Sequence, residues 1–271
     1  MDLEKICKEV IPVVKTVGLF IKQQRITFNE SKVEFKGGND LVSYVDKTAE
    51  EQLVKYLQLL LPEAGFITEE NTIDKKGDVY NWIIDPLDGT TNFVHGLPCY
   101  CVSVGLAKNN KPILGVIYEI NLDECFYAWE KGGAYLNNKV ISVTNTLSLS
   151  KSLIATGFPY DSKGTIDASF NTIKYLQSNS RGVRRLGSAA ADMAYVACGR
   201  LEAFYQEKLN AWDIAAGVII VQEAGGVVTD FEGGENYLFG RELIASNRGI
   251  QNELKQIVFD NYKKTTLYIE K

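Results

Sequence analysis

The chain has 271 residues, 45% of them hydrophobic and 23% charged, with a net charge of -5 at pH 7. That length supports one large domain or two smaller ones around a substantial core, and the acidic balance argues against a broad nucleic-acid surface. No apolar run approaches the roughly 20 residues of a membrane helix, and the charges Asp2, Glu4, Lys5, Lys8 and Glu9 do not suit a signal peptide, so we expect no membrane partner.

Leu3, Ile6, Cys7, Val10, Val14, Val17 and Ile21 recur at helical spacing and predict a helix over residues 2–24. A second helix is expected over 46–61, with Ala49, Leu53, Leu57 and Leu60 on one face, Asp46 at its start and Pro62 closing it. "GFIT" reads as a short strand leading to Glu69 and Glu70. "VYNWIID" reads as a buried strand. "YCVSVGLAKNNKPILGVIYEI" reads as two strands around a turn at residues 109–112, and "ECFYAWEKGGAYLNN" as further strand with a Gly-Gly turn. Cys99 and Cys101 are expected to alternate faces on a strand. The polar run "SVTNTLSLSKS" suggests a subdomain boundary near Ser148. We therefore expect an N-terminal α+β subdomain over 1–147 and a C-terminal α/β subdomain over 148–271, forming one catalytic unit. The second half alternates strand and helix: "SLIATGF", a helix over 166–176, a helix opening after Gly187, "LEAFYQ", a helix in "AWDIAAGVIIVQEAGG", "VVTDF", "LIASN" and a last helix from about Gln251. Phe204 and Tyr205 read as core strand residues. The five cysteines are scattered and lack a C-x-x-C pair, which suggests reduced thiols in a cytoplasmic protein, and a single histidine, His95, makes a zinc site improbable.

The run "WIIDPLDGTTNF" carries the chemistry. Pro86 biases Asp85 toward extended backbone and interrupts the strand after it. The turn brings Asp88 back beside Asp85, and two carboxylates ~5 Å apart repel by roughly 3 kcal/mol at an effective dielectric of ~20. A hard cation bridging the pair would relieve this, and oxygen-only ligands point to Mg²⁺ or Mn²⁺. Gly89, Thr90 and Thr91 begin a short helix whose amides suit an anion. The alternative is a polar turn with an Asx cap. Aspartyl-nucleophile phosphatases carry D-x-D-G-T; D-P-L-D-G-T is one residue longer, so these aspartates read as metal ligands with activated water as nucleophile. Glu69 and Glu70 follow a strand able to neighbour this one. Asp213 sits in an otherwise apolar helix start, which reads either as helix-dipole preference or as a buried acid needing a partner. His95 reads as structural or superficial. Arg184 and Arg185 read as interface, phosphate-proximal or solvated residues.

The segments "EE", "WIIDPLDGTTNFVHG", "GSAAADMAYVACGRLEAFY" and "WDIAAGVIIVQEAGGVVTD" resemble, in order, those of the inositol monophosphatases, relatives of fructose-1,6-bisphosphatase in a lithium-sensitive, magnesium-dependent superfamily. The resemblance implies an α+β fold, a five-layer αβαβα sandwich, and a homodimer. It implies Glu69, Asp85 and the Leu87 carbonyl as ligands of a first metal, and Asp85, Asp88 and Asp213 as ligands of a second. Glu69 would also hold a weaker third ion, with Ca²⁺ or Li⁺ inhibitory. It implies that Glu69 and Thr90 orient the attacking water, with Asp46 bonded to Thr90, and that Gly89 and Thr90 hold phosphate. Asp88, Gly187, Ser188, Ala189, Gln206 and Asp213 would face the rest of the substrate, and Lys36 would match a basic residue near the site. Family members acting on inositol phosphate commonly carry glutamate where Gln206 stands, so this position bears on substrate preference.

The implied activity is hydrolysis of inositol monophosphate or a similar small polyol phosphate. The enzymatic alternatives are a fructose-1,6-bisphosphatase, a nucleotide 3'-phosphatase or an NADP phosphatase. The non-enzymatic alternative is a metal-dependent regulatory binding protein.

Overall fold

The computed structural model describes residues 1–28, 33–37, 40–158 and 164–269, without the side chains of 33–37, 40–43 and 264–269. Helix α1 (Leu3–Ile26) starts on Asp2, whose carboxylate accepts the Lys5 amide at 3.0 Å. Strands β1 (Val33–Gly37) and β2 (Asp40–Ser43) form a two-stranded antiparallel ribbon absent from the sequence reading. Helix α2 (Tyr44–Leu60) begins two residues before the expected start and places Asp46 in its first turn.

One sheet has seven strands in chain order: β3 (Gly65–Thr68), β4 (Tyr80–Asp88), β5 (Cys101–Lys108), β6 (Lys111–Glu119), β7 (Glu124–Trp129), β8 (Gly133–Leu136) and β9 (Lys139–Ile141). The pair β3–β4 is parallel, and every later pair is antiparallel. Helix α3 (Thr90–His95) leaves the end of β4.

Three strand expectations change. Pro86 does not end its strand: β4 continues to Asp88 with a register shift between Asp85 and Asp88, a bulge that tolerates the missing donor. The turn after β5 is only Asn109–Asn110, both left-handed with φ of 49° and 63°, as a two-residue hairpin turn requires. Pro112 lies within β6 opposite an irregularity at Ala107. Cys99 precedes β5, with φ of 75°, so it does not alternate with Cys101 along a strand.

The second sheet has the order β11 (Gly182–Arg184), β10 (Leu153–Thr156), β12 (Ala203–Glu207), β14 (Glu242–Ser246), β13 (Val227–Thr229). Its β11–β10–β12 part is parallel and its β12–β14–β13 part antiparallel. Helices α4 (Ile166–Asn179), α5 (Ala189–Ala197), α6 (Ala211–Glu223), α7 (Tyr237–Gly240) and α8 (Gln251–Ile269) accompany it.

Three apolar clusters separate five layers. The first joins α1 and α2 to one face of the seven-stranded sheet. The second places α5 and α6 between the two sheets. The third joins the outer face of the smaller sheet to α4 and α8. This is the expected α+β sandwich. Phe204 and Tyr205 are core residues, and the five cysteines are free thiols. No described helix is long and apolar enough to cross a membrane.

Helix α6 lies close against the larger sheet because Gly105 and Gly115, cross-strand partners, present no side chain to it. A Cβ on Gly115 would stand 2.5 Å from the Ala216 carbonyl oxygen and 2.8 Å from its Cα. We predict that Gly115→Ala pushes α6 outward and costs about 1–3 kcal/mol. A urea unfolding midpoint equal to that of the unaltered protein would contradict this packing.

Candidate active site

A cavity of about 150 Å³ opens between the two sheets. It is lined by Glu69, Asp85, Leu87, Asp88, Gly89, Thr90, Gly187, Ser188, Ala189, Gln206 and Asp213. The residues assigned to the site from sequence line it, except Asp46, which reaches it through Thr90, and Lys36, whose side chain lies outside the described residues.

Each carboxylate is held by its own segment. Asp85, buried at the bulge of β4, accepts the Leu87 amide at 3.0 Å through Oδ1, an Asx-type bond two residues long. Asp88 Oδ2 accepts the Ser188 hydroxyl at 2.7 Å and the Ala190 amide at 2.6 Å, so this acid ties β4 to the first turn of α5. Asp213, in the first turn of α6, accepts the Asn210 amide at 2.6 Å. Here the helix-start preference and the site position coincide. Glu69 follows β3 directly, and its amide donates to the Ile84 carbonyl at 3.3 Å. Gly89 takes φ of 98° between β4 and α3, where a Cβ would meet the Cys99 carbonyl oxygen at 3.0 Å. The Thr90 hydroxyl lies 3.1 Å from Asp46 Oδ1 and 3.0 Å from the Leu87 carbonyl oxygen, both acceptors for its single proton.

These positions set the electrostatics. Burial holds the Asp85 carboxyl well above the usual range. The charges of Glu69, Asp88 and Asp213 push it the same way, as does a side-chain hydrogen bond with Glu69. Asp88 is half-buried by surface yet sits deep in the narrow cleft. Burial raises it to about 6, against the bonds from Ser188 and Ala190 and the charge of Arg185. Among the described residues no three His, Cys, Asp or Glu side chains are already gathered as a ligand cluster. The acids lining the cavity offer only oxygen ligands, and the main charges acting on buried Asp85, those of Glu69, Asp88 and Asp213, share its sign. That set fits a hard divalent ion, whose charge would offset the repulsion among the carboxylates.

The structure also brings in residues the sequence reading left unassigned. Asp192 of α5 is buried, lines the cavity, and has an Oδ1 without a hydrogen-bond partner. Burial and then the charge of Asp88 raise its pKa well above the ordinary value, opposed by Arg185. A lone acid in "AAADMAYVA" carries the same signal that singled out Asp213. Asn92 donates through Nδ2 to the carbonyls of Cys99 at 2.8 Å and Leu186 at 2.7 Å, joining α3 to the loop before Ser188. Glu50 of α2 bonds the loop after Glu69. Its signal was a position four residues after Asp46 on the apolar face. Arg185, Lys208 and Phe158 line the cavity, whereas Arg184 and His95 are exposed away from it. The Lys36 side chain lies outside the described residues.

The sandwich topology and the acidic cavity accord with what relatives about 38–40% identical over most of the chain establish, that the protein is a phosphoric monoester hydrolase. Residues 2–262 match the model of the Inositol monophosphatase family. An "Inositol monophosphatase" of Dictyostelium discoideum is 38% identical over 96% of this chain and 97% of its own length. A "Fructose-1,6-bisphosphatase/inositol-1-monophosphatase" of Thermotoga maritima is 40% identical over 92% and 93%. The crystal structure of the extragenic suppressor protein suhB from Bartonella henselae superposes with a TM-score of 0.87 at 34% identity, covering 93% of this chain and 97% of that one. The chain belongs to the inositol monophosphatase family.

A carboxyl whose folded-state pKa is raised stabilises the fold while protonated. That contribution is complete below the ordinary value of 3.8 and is lost as the pH rises through about 6. We predict that the melting temperature of the metal-free protein falls, relative to Asp88→Asn, between about pH 4 and about pH 7, and that saturating Mg²⁺ restores it. Scanning calorimetry of both proteins across this window tests it. A gap between them that ignores pH would contradict the assignment.

Proposed function

We propose that this protein hydrolyses inositol monophosphate or a similar small polyol phosphate, with Mg²⁺ as its ion and two or three ions per site, Mn²⁺ substituting. The observation that carries the reading is the meeting of Glu69, Asp85, Asp88 and Asp213, from separate segments, around one cavity that also holds Gly89, Thr90 and Gly187–Ala189. The family is metal-dependent. Glu69, Asp85, the Leu87 carbonyl, Asp88 and Asp213 are the ligands. When bound, divalent ions acidify water and neutralise charge on a phosphoryl group.

The remaining work falls to the chain. Glu69 and the Thr90 hydroxyl, the latter restrained by Asp46, orient the attacking water, and the Glu69 carboxylate receives its proton. The amides of Gly89 and Thr90 bind the phosphate oxygens, and their fixed direction requires no reorganisation as charge develops. Asp88, held against the start of α5, faces the alcohol together with Gly187, Ser188, Ala189, Gln206 and Asp213. Gln206 can donate and accept at once, so it serves a polyol without adding another negative charge. By family resemblance we infer a homodimer in the cytoplasm.

One observation favours a second reading. Arg185 and Lys208 line the same cavity, and two cations beside a neutral Gln206 suit a substrate with a second anionic group. The Thermotoga relative's double name, fructose-1,6-bisphosphatase and inositol-1-monophosphatase, accords with it.

Phosphate release from a panel of phosphomonoesters with Mg²⁺ ranks these readings, and preference for a bisphosphate would select the second. Asp85→Asn and Asp213→Asn are each expected to lower kcat/KM at least about a hundredfold while leaving the circular dichroism spectrum unchanged. Near-normal turnover of either variant at saturating Mg²⁺ would remove it from the ligand set.

A further inference from the structure

Asp46 and Glu50 stand four residues apart on α2 and are 1% and 0% exposed. That spacing puts both on one face, among Val45, Ala49, Leu53 and Leu57. Acids buried on an apolar face are costly unless their oxygens are bonded, and each finds its partners on a different structural segment. Asp46 takes the Thr90 hydroxyl at 3.1 Å. Glu50 takes three donors from the loop after β3: the Glu70 amide at 2.7 Å on Oε2, and the Thr72 amide at 2.9 Å and hydroxyl at 2.8 Å on Oε1. Asn71, between them, has φ of 54°, the left-handed conformation that asparagine tolerates in turns. One helix thus grips both segments that carry the water-orienting pair: Thr90 through Asp46, and the loop headed by Glu69 through Glu50.

We propose that Glu50 is a positioning residue for Glu69, holding the 69–72 loop so that the Glu69 carboxylate stands at the cavity before any substrate enters. This rests on the phosphatase reading for its kinetic consequence, but its structural consequence stands apart from that reading. Glu50→Gln keeps the side-chain length and turns an amide NH₂ against a backbone N–H. Thr72→Val removes one of the three bonds and leaves the helix untouched.

Three measurements on the full chain test it. In metal-free protein, hydrogen exchange at the Glu70 and Thr72 amides should be about tenfold faster in Glu50→Gln, with the β4 amides unchanged. Mn²⁺ binding, followed by the paramagnetic resonance signal of the free ion, should weaken roughly 10–100-fold. At saturating Mg²⁺, kcat should fall by a similar roughly 10–100-fold, with KM for inositol monophosphate within about twofold. Thr72→Val should move all three the same way by less, and it decides the matter if Glu50→Gln does not fold. Unchanged exchange and Mn²⁺ affinity in both variants, or a lower melting temperature with kcat intact, would overturn the proposal. If the unaltered protein releases phosphate from no ester, the phosphatase reading falls, and exchange and Mn²⁺ affinity still judge Glu50.

Discussion

Asp85 lies buried with Glu69, Asp88 and Asp213 as the strongest charges upon it, all of its own sign. Two such charges ~5 Å apart at an effective dielectric of ~20 would repel by roughly 3 kcal/mol. The rest of the fold has to hold this arrangement in place. Two remedies are open to it, a proton or a cation. The upward shift of the Asp85 carboxyl is the first. The second is what a metal-dependent hydrolase exploits: repulsion stored in the free protein becomes affinity for a hard ion and then for the anion that the ion attracts.

Holding like charges together demands a stiff frame. Asp213 is brought in by a helix that lies almost on the sheet, since Gly105 and Gly115 leave room for Ala215 and Ala216. Asp88 is bolted to the first turn of α5 through Ser188 and Ala190, and Asp85 is clasped by the Leu87 amide. Asn92 joins α3 to the loop before Ser188. Each of these bonds satisfies a polar group that would otherwise be stranded near the core, so the same contacts serve both stability and aim.

Long elements and the metal-ligand motif were legible because their physics is local. Helical periodicity located α1 and α2, the Gly225–Gly226 close located the end of α6, and the apolar run ending in D-P-L-D-G-T located the bulged strand and its acids. The misses have local causes too. Strands β9 and β11 and helix α7 are three or four residues long, too short to show a period. Pro86 reads as a strand breaker and Pro112 as a turn residue, yet each sits at an irregularity where no ladder donor is required. Asp192, one polar residue in the alanine-rich α5, lines the cavity, and nothing in its local pattern sets it apart from other first-turn acids.

The sequence by itself determined which acids exist, which elements carry them and, through motifs in a recognisable order, what family chemistry to expect. Spacing along the chain is enough for that, because a bulge, a cap or a helix face is built from neighbours. Only the tertiary structure decided that Glu69, Asp85 and Asp213 share one cavity, that Asp88 caps α5, and that Glu50 grips the loop beyond Glu69. Those relations depend on how sheets and helices stack, and stacking is governed by packing between residues far apart in the chain, which no local pattern records.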